Sequence, residues 1–531
     1  MAKVLISDKM SPRAAEVFRD RGVEVDEKPG LTPEGLAEII DQYDGLAIRS
    51  STTVTPEILA AAKGNLKVIG RAGIGVDNID QEAATAQGVC VMNTPFGNSI
   101  TTAEHAISMM MALARQIPAA DRSTHEGKWE KNRFMGVELY GKVLGVIGCG
   151  NIGAIVCDRA IGLKMRVVAF DPYLSEERAL DLGVERVDLD TLFARADFIT
   201  LHTPLNDATR GIINADSIAK MKTGVRIINC ARGGLLVEED LRAAIDAGQV
   251  AGAAVDVFSS EPAKENALFG SDAVVATPHL GASTTEAQVN VAVQVAEQMA
   301  DYLLTGAITN ALNMASVSAE EAPRLKPYFS LARELGSFAG QLTESALQSV
   351  HIEYQGHVAG LNTRPLTAIV LEGLLRPLIS NVNMINAPIV AKDRGIEVKE
   401  TRSEGVGDYQ TLVRVSVTTE NQSRDVAGTL FADNRPRIVQ VKGIKLEAEL
   451  VGHMLYLTNE DQPGLIGALG TVLGDNGVNV ATFHLGRAEE GGDAIALIGV
   501  DQPINDAVLT AVRALPHVGQ AKALNFLGSL N

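Results

Sequence analysis

The sequence predicts an α/β protein: a doubly wound parallel sheet inserted in a smaller α/β unit, then an α+β segment and a compact β-α-β-β-α-β tail. Three observations carry this. Short apolar runs alternate with helical stretches between residues 143 and 279. A glycine-rich turn, Gly148-Cys149-Gly150-Asn151-Ile152-Gly153, joins the first of those runs to a helix. At 531 residues the chain exceeds what one hydrophobic core supports, so three or four domains are expected.

The elements follow in chain order. Strands are expected at 4–7, 46–49, 68–71 and 89–92, each short, apolar and followed by a loop or helix. The stretch 101–116 has helical period and links this unit to the next. Strands at 143–147, 166–170, 197–201, 226–230, 252–257 and 274–277 come next, with helices including 189–194, 215–220 and 238–247. That alternation is the Rossmann-type pattern, in which ligands bind beyond the C-terminal strand ends. A helix at 284–304, with Val289, Ala292, Val293, Ala296 and Met299 apolar, returns the chain to the first, flavodoxin-like unit. Residues 316–450 carry helices at 327–342 and 367–378 among alternating strands such as 348–354 and 411–417, with no catalytic constellation, and read as a spacer or oligomerisation domain. In the tail, strands at 454–458, 479–485, 494–500 and 521–526 enclose helices at 465–475 and 505–515, a ferredoxin-like order.

Composition limits the function. Apolar residues are 46% and charged residues 21%, which is globular material. A net charge of −18 argues against nucleic acid or an anionic membrane as the main partner. No apolar run approaches membrane-spanning length, and the first strand turns polar too soon for a signal-peptide core. Cys90, Cys149, Cys157 and Cys230 are scattered, without metal-ligand spacing, and read as small buried thiols. A cytoplasmic setting is expected.

The glycine turn has a physical logic. Gly148 permits the tight turn, Gly150 lets the backbone approach a pyrophosphate, and Gly153 lets helix and strand pack closely. A diphosphate then sits on unpaired amide N–H groups at the helix start. Asp171 ends the next strand, 18 residues past Gly153. A carboxylate there accepts from both adenosine ribose hydroxyls and repels a 2′-phosphate, so NAD is expected over NADP.

Three further side chains lie just past strand ends: Arg232, Glu261 and His279. Taken singly, an arginine after a strand is ordinary surface charge and a histidine after proline an ordinary loop residue. Together, beside a dinucleotide turn, they match the needs of hydride transfer from a 2-hydroxy acid. Arginine grips the acid, histidine moves the hydroxyl proton, and a carboxylate orients the imidazole.

These motifs, with Asp256-Val257-Phe258 and Pro278-His279-Leu280-Gly281-Ala282, resemble those of the D-isomer-specific 2-hydroxyacid dehydrogenases, in the long form that acts on 3-phospho-D-glycerate. Ile48-Arg49-Ser50-Ser51-Thr52, Gly70-Arg71-Ala72-Gly73-Ile74-Gly75 and Gly127-Lys128-Trp129 match as well, and the likeness runs over essentially the whole chain. It implies Arg232 as the substrate-orienting cation, Glu261 as the partner of the imidazole, and His279 as the acid/base. It implies nucleotide contacts from Asn151, Ile152, Asp171, Thr203, Cys230, Ala231, Arg232, Asp256 and the loop of His279, Leu280, Gly281 and Ala282. Asp256 is expected to accept from the nicotinamide carboxamide. Arg49, Ser50, Arg71 and Gly73, with Lys131 and Arg133, are expected around the substrate phosphate, and a neighbouring subunit is expected to supply the Lys131 cation.

The tail resembles the ACT domain, a small-molecule sensor that pairs across subunits; Asn459, Asp461 and Asn479 are expected to hold L-serine. The expected domains are 1–99 plus 285–315 (substrate), 100–284 (NAD), 316–450 (intervening) and 451–531 (ACT). The implied reaction is oxidation of 3-phospho-D-glycerate to 3-phosphohydroxypyruvate, the first step of phosphorylated serine synthesis, by a homo-oligomer, with a tetramer expected. The alternatives are a glyoxylate/hydroxypyruvate or 2-oxoglutarate reductase, and a non-enzymatic NAD sensor.

Overall fold

The computed structural model describes residues 1–317, 321–405, 407–431 and 434–526. Four sheets organise it.

The first is five-stranded and parallel, in the order Glu24–Glu27, Lys3–Ile6, Gly45–Ile48, Val68–Arg71, Cys90–Met92. Sequence reading missed Glu24–Glu27 because Glu-Val-Asp-Glu has neither an apolar run nor a buried face; it is an edge strand held by its ladder to Lys3–Ile6. The helix Thr285–Thr305 covers this sheet, and its buried Val291, Val295 and Met299 share a core with Val4, Val68 and Met92.

The second sheet is seven-stranded and parallel: Val274–Ala276, Val250–Val255, Val225–Asn229, Phe198–Leu201, Val143–Ile147, Arg166–Phe170, Glu185–Arg186. One strand more than the expected six is present. Glu185–Arg186 is two exposed charged residues, too short to leave a periodic signal. The strand order reverses between Val143–Ile147 and Phe198–Leu201, the point at which such sheets open a ligand crevice. The helix Ser99–Ala114 packs here, with Ala103, Ala106, Met110 and Leu113 buried in the same core as Leu144 and Val146. The two long helices therefore flank the cleft from opposite units.

The third sheet is mixed and six-stranded, from Glu397–Ser403 at one edge to Ile444–Ala448 at the other. Behind it pack the helices Ala322–Gln341 and Arg364–Leu375. A Cβ at Gly336 or Gly340 would lie 2.3 Å from a carbonyl oxygen of the opposing helix, so only glycine permits this backbone-to-backbone approach. The first of these helices begins before Pro327, where sequence reading placed its start, because buried Ala322 and Leu325 anchor the extra turn. The fourth sheet is antiparallel, in the order Val480–Arg487, Asp493–Val500, His453–Glu460, Val518–Asn525, under the helices Leu465–Asp475 and Asp506–Arg513. Among the described residues no helix is long and apolar enough to cross a membrane.

Candidate active site

The glycine turn begins at Gly148, whose φ of +95° is open to glycine at no steric cost. A Cβ at Gly153 would lie 2.0 Å from the Gly148 carbonyl oxygen, so this glycine closes the strand–helix contact. Gly150 has open space where its side chain would be, and it starts the helix Asn151–Gly162 without any side-chain cap. The helix's first N–H groups are thus left for a ligand, as a bound diphosphate requires. Asp171 Oδ2 accepts from Cys149 N–H at 2.8 Å and Oδ1 from Tyr173 N–H at 2.8 Å, which ties the acid to the turn. The Thr203 hydroxyl is buried and has no protein partner, so a bound ligand can satisfy it. This donor set fits a dinucleotide. Burial pushes the imidazole of His202 beside it down to about 4, which favours the neutral ring.

Arg232, Glu261 and His279 come together. His279 Nδ1 meets Glu261 Oε2 at 2.7 Å, so Nε2 is the ring nitrogen without a protein partner. Glu261 Oε1 accepts from Phe258 N–H at 3.0 Å, which sets the carboxylate's orientation. His279 itself has φ +56°, a left-handed backbone held by its N–H donating to Asp256 O. Arg232 reaches across the cleft to Asp77 Oδ2 at 3.0 Å and donates to Ala231 O at 2.7 Å. Arg71, Arg232, Glu261 and His279 line one cavity of about 430 Å³, together with Ile152, Cys230, Ala231, Gly281 and Ala282.

An adjoining cavity of about 740 Å³ is lined by Arg49, Ser50, Arg71, Gly73, Asn98, Glu261 and His279. Burial, then the neighbouring Arg232 and Arg49 guanidiniums, push Arg71 down to about 10. Three cations converging in an acidic protein create a field that an anion relieves.

Asp256 also holds protein groups. It is 0% exposed, and its oxygens accept from Thr277 Oγ1, Leu280 N–H, His105 Nε2 and Gly281 N–H. Three of these donors fall on Oδ1 and only Gly281 N–H on Oδ2, so of the roughly four acceptor positions of a carboxylate one on Oδ2 remains. Burial raises this carboxyl, but the hydrogen bonds from His105, Thr277 and Leu280 outweigh it and hold the group below the usual range. Asp256 therefore pins the loop that carries His279, as does Thr102, whose hydroxyl donates to Gly281 O at 2.9 Å.

Lys131 and Arg133 do not reach the cleft within one chain. Arg133 pairs with Glu130 and Asp272 instead. This same segment exposes Trp129, Met135 and Tyr140.

The three tail residues are also separated. Asn459 pairs with Ala494 and His453 with Val500, at opposite ends of two neighbouring strands. Asn479 precedes Val480, which also pairs with Val500. Six residues of strand, about 20 Å, therefore divide Asn479 from Asn459 and Asp461. Asp461 accepts from Arg487 at 2.8 Å, while Asn479 donates to Asp501 at 2.6 Å. Asn459 Oδ1 is buried and without a partner. Within one chain this register keeps the three residues from forming a single site.

Residues 8, 102, 105 and 238 were missed. Asp8 is the most direct of them: Oδ2 accepts from the N–H groups of Arg49, Ser51 and Thr52, shaping the loop that presents Arg49. Its signal was its place, just after the strand Lys3–Ile6 at the ligand-binding edge of the sheet.

Residues 107–281 match the family model for the D-isomer specific 2-hydroxyacid dehydrogenase NAD binding domain. Residues 324–442 match the D-3-phosphoglycerate dehydrogenase intervening domain, and 453–517 the ACT domain. The chain is 43% identical over 523 residues to a D-3-phosphoglycerate dehydrogenase of Synechocystis sp., covering 98% of this chain and 94% of that protein. It is 40% identical over 527 residues to a D-3-phosphoglycerate dehydrogenase of Bacillus subtilis, covering 99% and 100%. Among solved structures, the NAD+-bound 3-phosphoglycerate dehydrogenase of Entamoeba histolytica superposes with a TM-score of 0.50 at 29% identity, over 59% of this chain and 98% of that one. A glyoxylate reductase from Paecilomyes thermophila gives 0.55 at 29% identity, over 59% and 98%.

Proposed function

Because this chain belongs to the D-isomer-specific 2-hydroxyacid dehydrogenases, in their D-3-phosphoglycerate dehydrogenase branch, we propose that it oxidises 3-phospho-D-glycerate to 3-phosphohydroxypyruvate with NAD, the first step of phosphorylated serine synthesis. The observation that carries the reading is the His279–Glu261 pair facing Arg232 in a cleft whose far side holds Arg49 and Arg71.

The residues divide the work. Arg232 takes the substrate carboxylate and holds the hydroxyl-bearing carbon in place. His279 Nε2 accepts the hydroxyl proton, and Glu261 on Nδ1 fixes the ring and stabilises the imidazolium that forms. Arg49 and Arg71, with Ser50 and Gly73, hold the phosphate at the other end of the molecule. NAD, held by the turn from Gly148 to Gly153 and by Asp171, supplies the hydride acceptor when bound. Asp77 of the smaller unit pairs with Arg232 across the cleft at 3.0 Å, and closure of the two units over bound substrate excludes water. A panel of 2-hydroxy acids assayed with NAD tests the whole reading.

The phosphate assignment separates this activity from a glyoxylate-type reductase. Arg49→Ala removes a charge-assisted contact of about 1.5–3 kcal/mol, so KM for phosphoglycerate should rise by roughly ten- to a hundredfold. KM for an unphosphorylated 2-hydroxy acid should change little. Equal changes for both substrates would remove the phosphate pocket.

The exposed apolar residues Trp129, Met135 and Tyr140 around Lys131 suit a second copy of this chain, which would carry Lys131 toward the neighbour's cleft in a homo-oligomer, for which we propose a tetramer. The tail acts as an L-serine sensor built from two chains, with Asn459 and Asp461 of one ACT unit facing Asn479 of another. Calorimetry with the full-length oligomer should then show L-serine binding that both Asp461→Ala and Asn479→Ala abolish. Absence of heat together with unaltered kinetics would end the proposal.

A further inference from the structure

The acid/base pair raises a question of mechanics. Glu261 sits in an exposed loop between Phe258 and Asn266, yet its carboxylate must stay within hydrogen-bond reach of an imidazole on a separate loop. The chain solves this with a residue that touches neither. Glu238 is the first residue of the helix Glu238–Asp246 and is 6% exposed. Its Oε1 accepts from Ser259 N–H at 2.9 Å, and its Oε2 accepts from Ser259 Oγ at 2.8 Å and from Asn266 Nδ2 at 2.8 Å. Both ends of the segment carrying Glu261 are thus fastened to one buried carboxylate. These donors are all uncharged groups.

A buried charge is retained only where its hydrogen bonds are made, and here all three donors come from that one loop. The helix N-terminus on which Glu238 stands supplies the remaining favourable field. The anchored loop also packs closely on its neighbour. Gly233 packs directly on the loop: a Cβ there would lie 1.9 Å from the Phe258 carbonyl carbon and oxygen. The loop presenting Arg232 and the loop presenting Glu261 are therefore stacked back to back, with Glu238 following on the same chain segment as Arg232.

We propose that Glu238 is a positioning residue for the hydride-transfer reaction: by clipping Ser259 to Asn266 it sets the distance and angle at which Glu261 meets His279. The inference rests on the acid/base reading of that pair. Glu238→Gln keeps the side chain's shape but turns an amide N–H₂ toward donors that need an acceptor, so at least one clip is lost.

The test uses the full-length enzyme with NAD and phosphoglycerate, following NADH formation in a single turnover. A misplacement near 1 Å costs up to about a hundredfold, so a loosened clip should slow hydride transfer by about tenfold. KM for phosphoglycerate and the dissociation constant for NADH should stay near the wild-type values. The decisive readout is a double-mutant cycle with Glu261→Ala. If Glu238 acts through Glu261, then E238Q adds no further loss of rate in the E261A background.

A folded E238Q with the wild-type turnover rate, or one whose full cost persists in E261A, overturns the inference while leaving the acid/base reading intact. An E261A enzyme with an unchanged rate overturns both. Should E238Q fail to fold, Asn266→Ala removes one donor and leaves the carboxylate in place. It should give a smaller loss of the same kind, again absorbed by E261A, and a wild-type rate for it overturns the proposal.

Discussion

Replacing His279 by asparagine should lower the single-turnover rate of phosphoglycerate oxidation by about three orders of magnitude, within the range lost with a general base. Asparagine is the informative choice for two reasons. The residue has φ +56°, a backbone that asparagine tolerates better than most side chains. Its amide can still donate toward Glu261, so the loop held by Asp256 is preserved. What is lost is an atom able to accept and carry a proton. NADH affinity, followed by fluorescence, should hold. A loss smaller than tenfold would mean that another group takes the proton, and the mechanism would have to be rebuilt around it.

The second large effect is expected at Arg232. Its guanidinium spends Nε on Asp77 and Nη1 on Ala231 O, and lines the cavity that His279 also lines. Lysine carries the same charge as a single point and cannot hold Asp77 and a substrate carboxylate from two edges of one plane. Arg232→Lys should therefore lower kcat/KM by about a hundredfold, as expected when a substrate is held slightly out of line. Arg232→Ala should lose more, and added guanidinium ion should restore part of its rate. An R232K enzyme within a few fold of wild type would show that the carboxylate is held elsewhere.

Much of the site was legible in local sequence. The turn from Gly148 to Gly153 needs only neighbouring residues to declare itself, and Arg232, Glu261 and His279 each stand a few residues past a strand. What escaped was of another kind. Asp8 and Arg49 are joined by a hydrogen bond across 41 positions of chain, and Glu238 reaches forward to Asn266. Neither acid lies in a motif; each matters because of what folding brings to its oxygens. Asp256 adds a task its strand-end position did not reveal: its oxygens fasten Thr277, Leu280 and Gly281 of the loop that carries His279.

Periodicity, glycine placement and strand-end chemistry act over a few residues, so they were enough to mark the sheet classes, the glycine turn and the three residues proposed for catalysis. Which side chains share a cavity is set by packing between segments far apart in the chain. That is why only the folded molecule gathered Arg49 and Arg71 beside Arg232, turned Arg133 away to Asp272, and placed Asn479 at the end of the sheet remote from Asp461. A strand advances by about 3.3 Å per residue, so register decides distance, and register answers to the whole buried face rather than to any one residue.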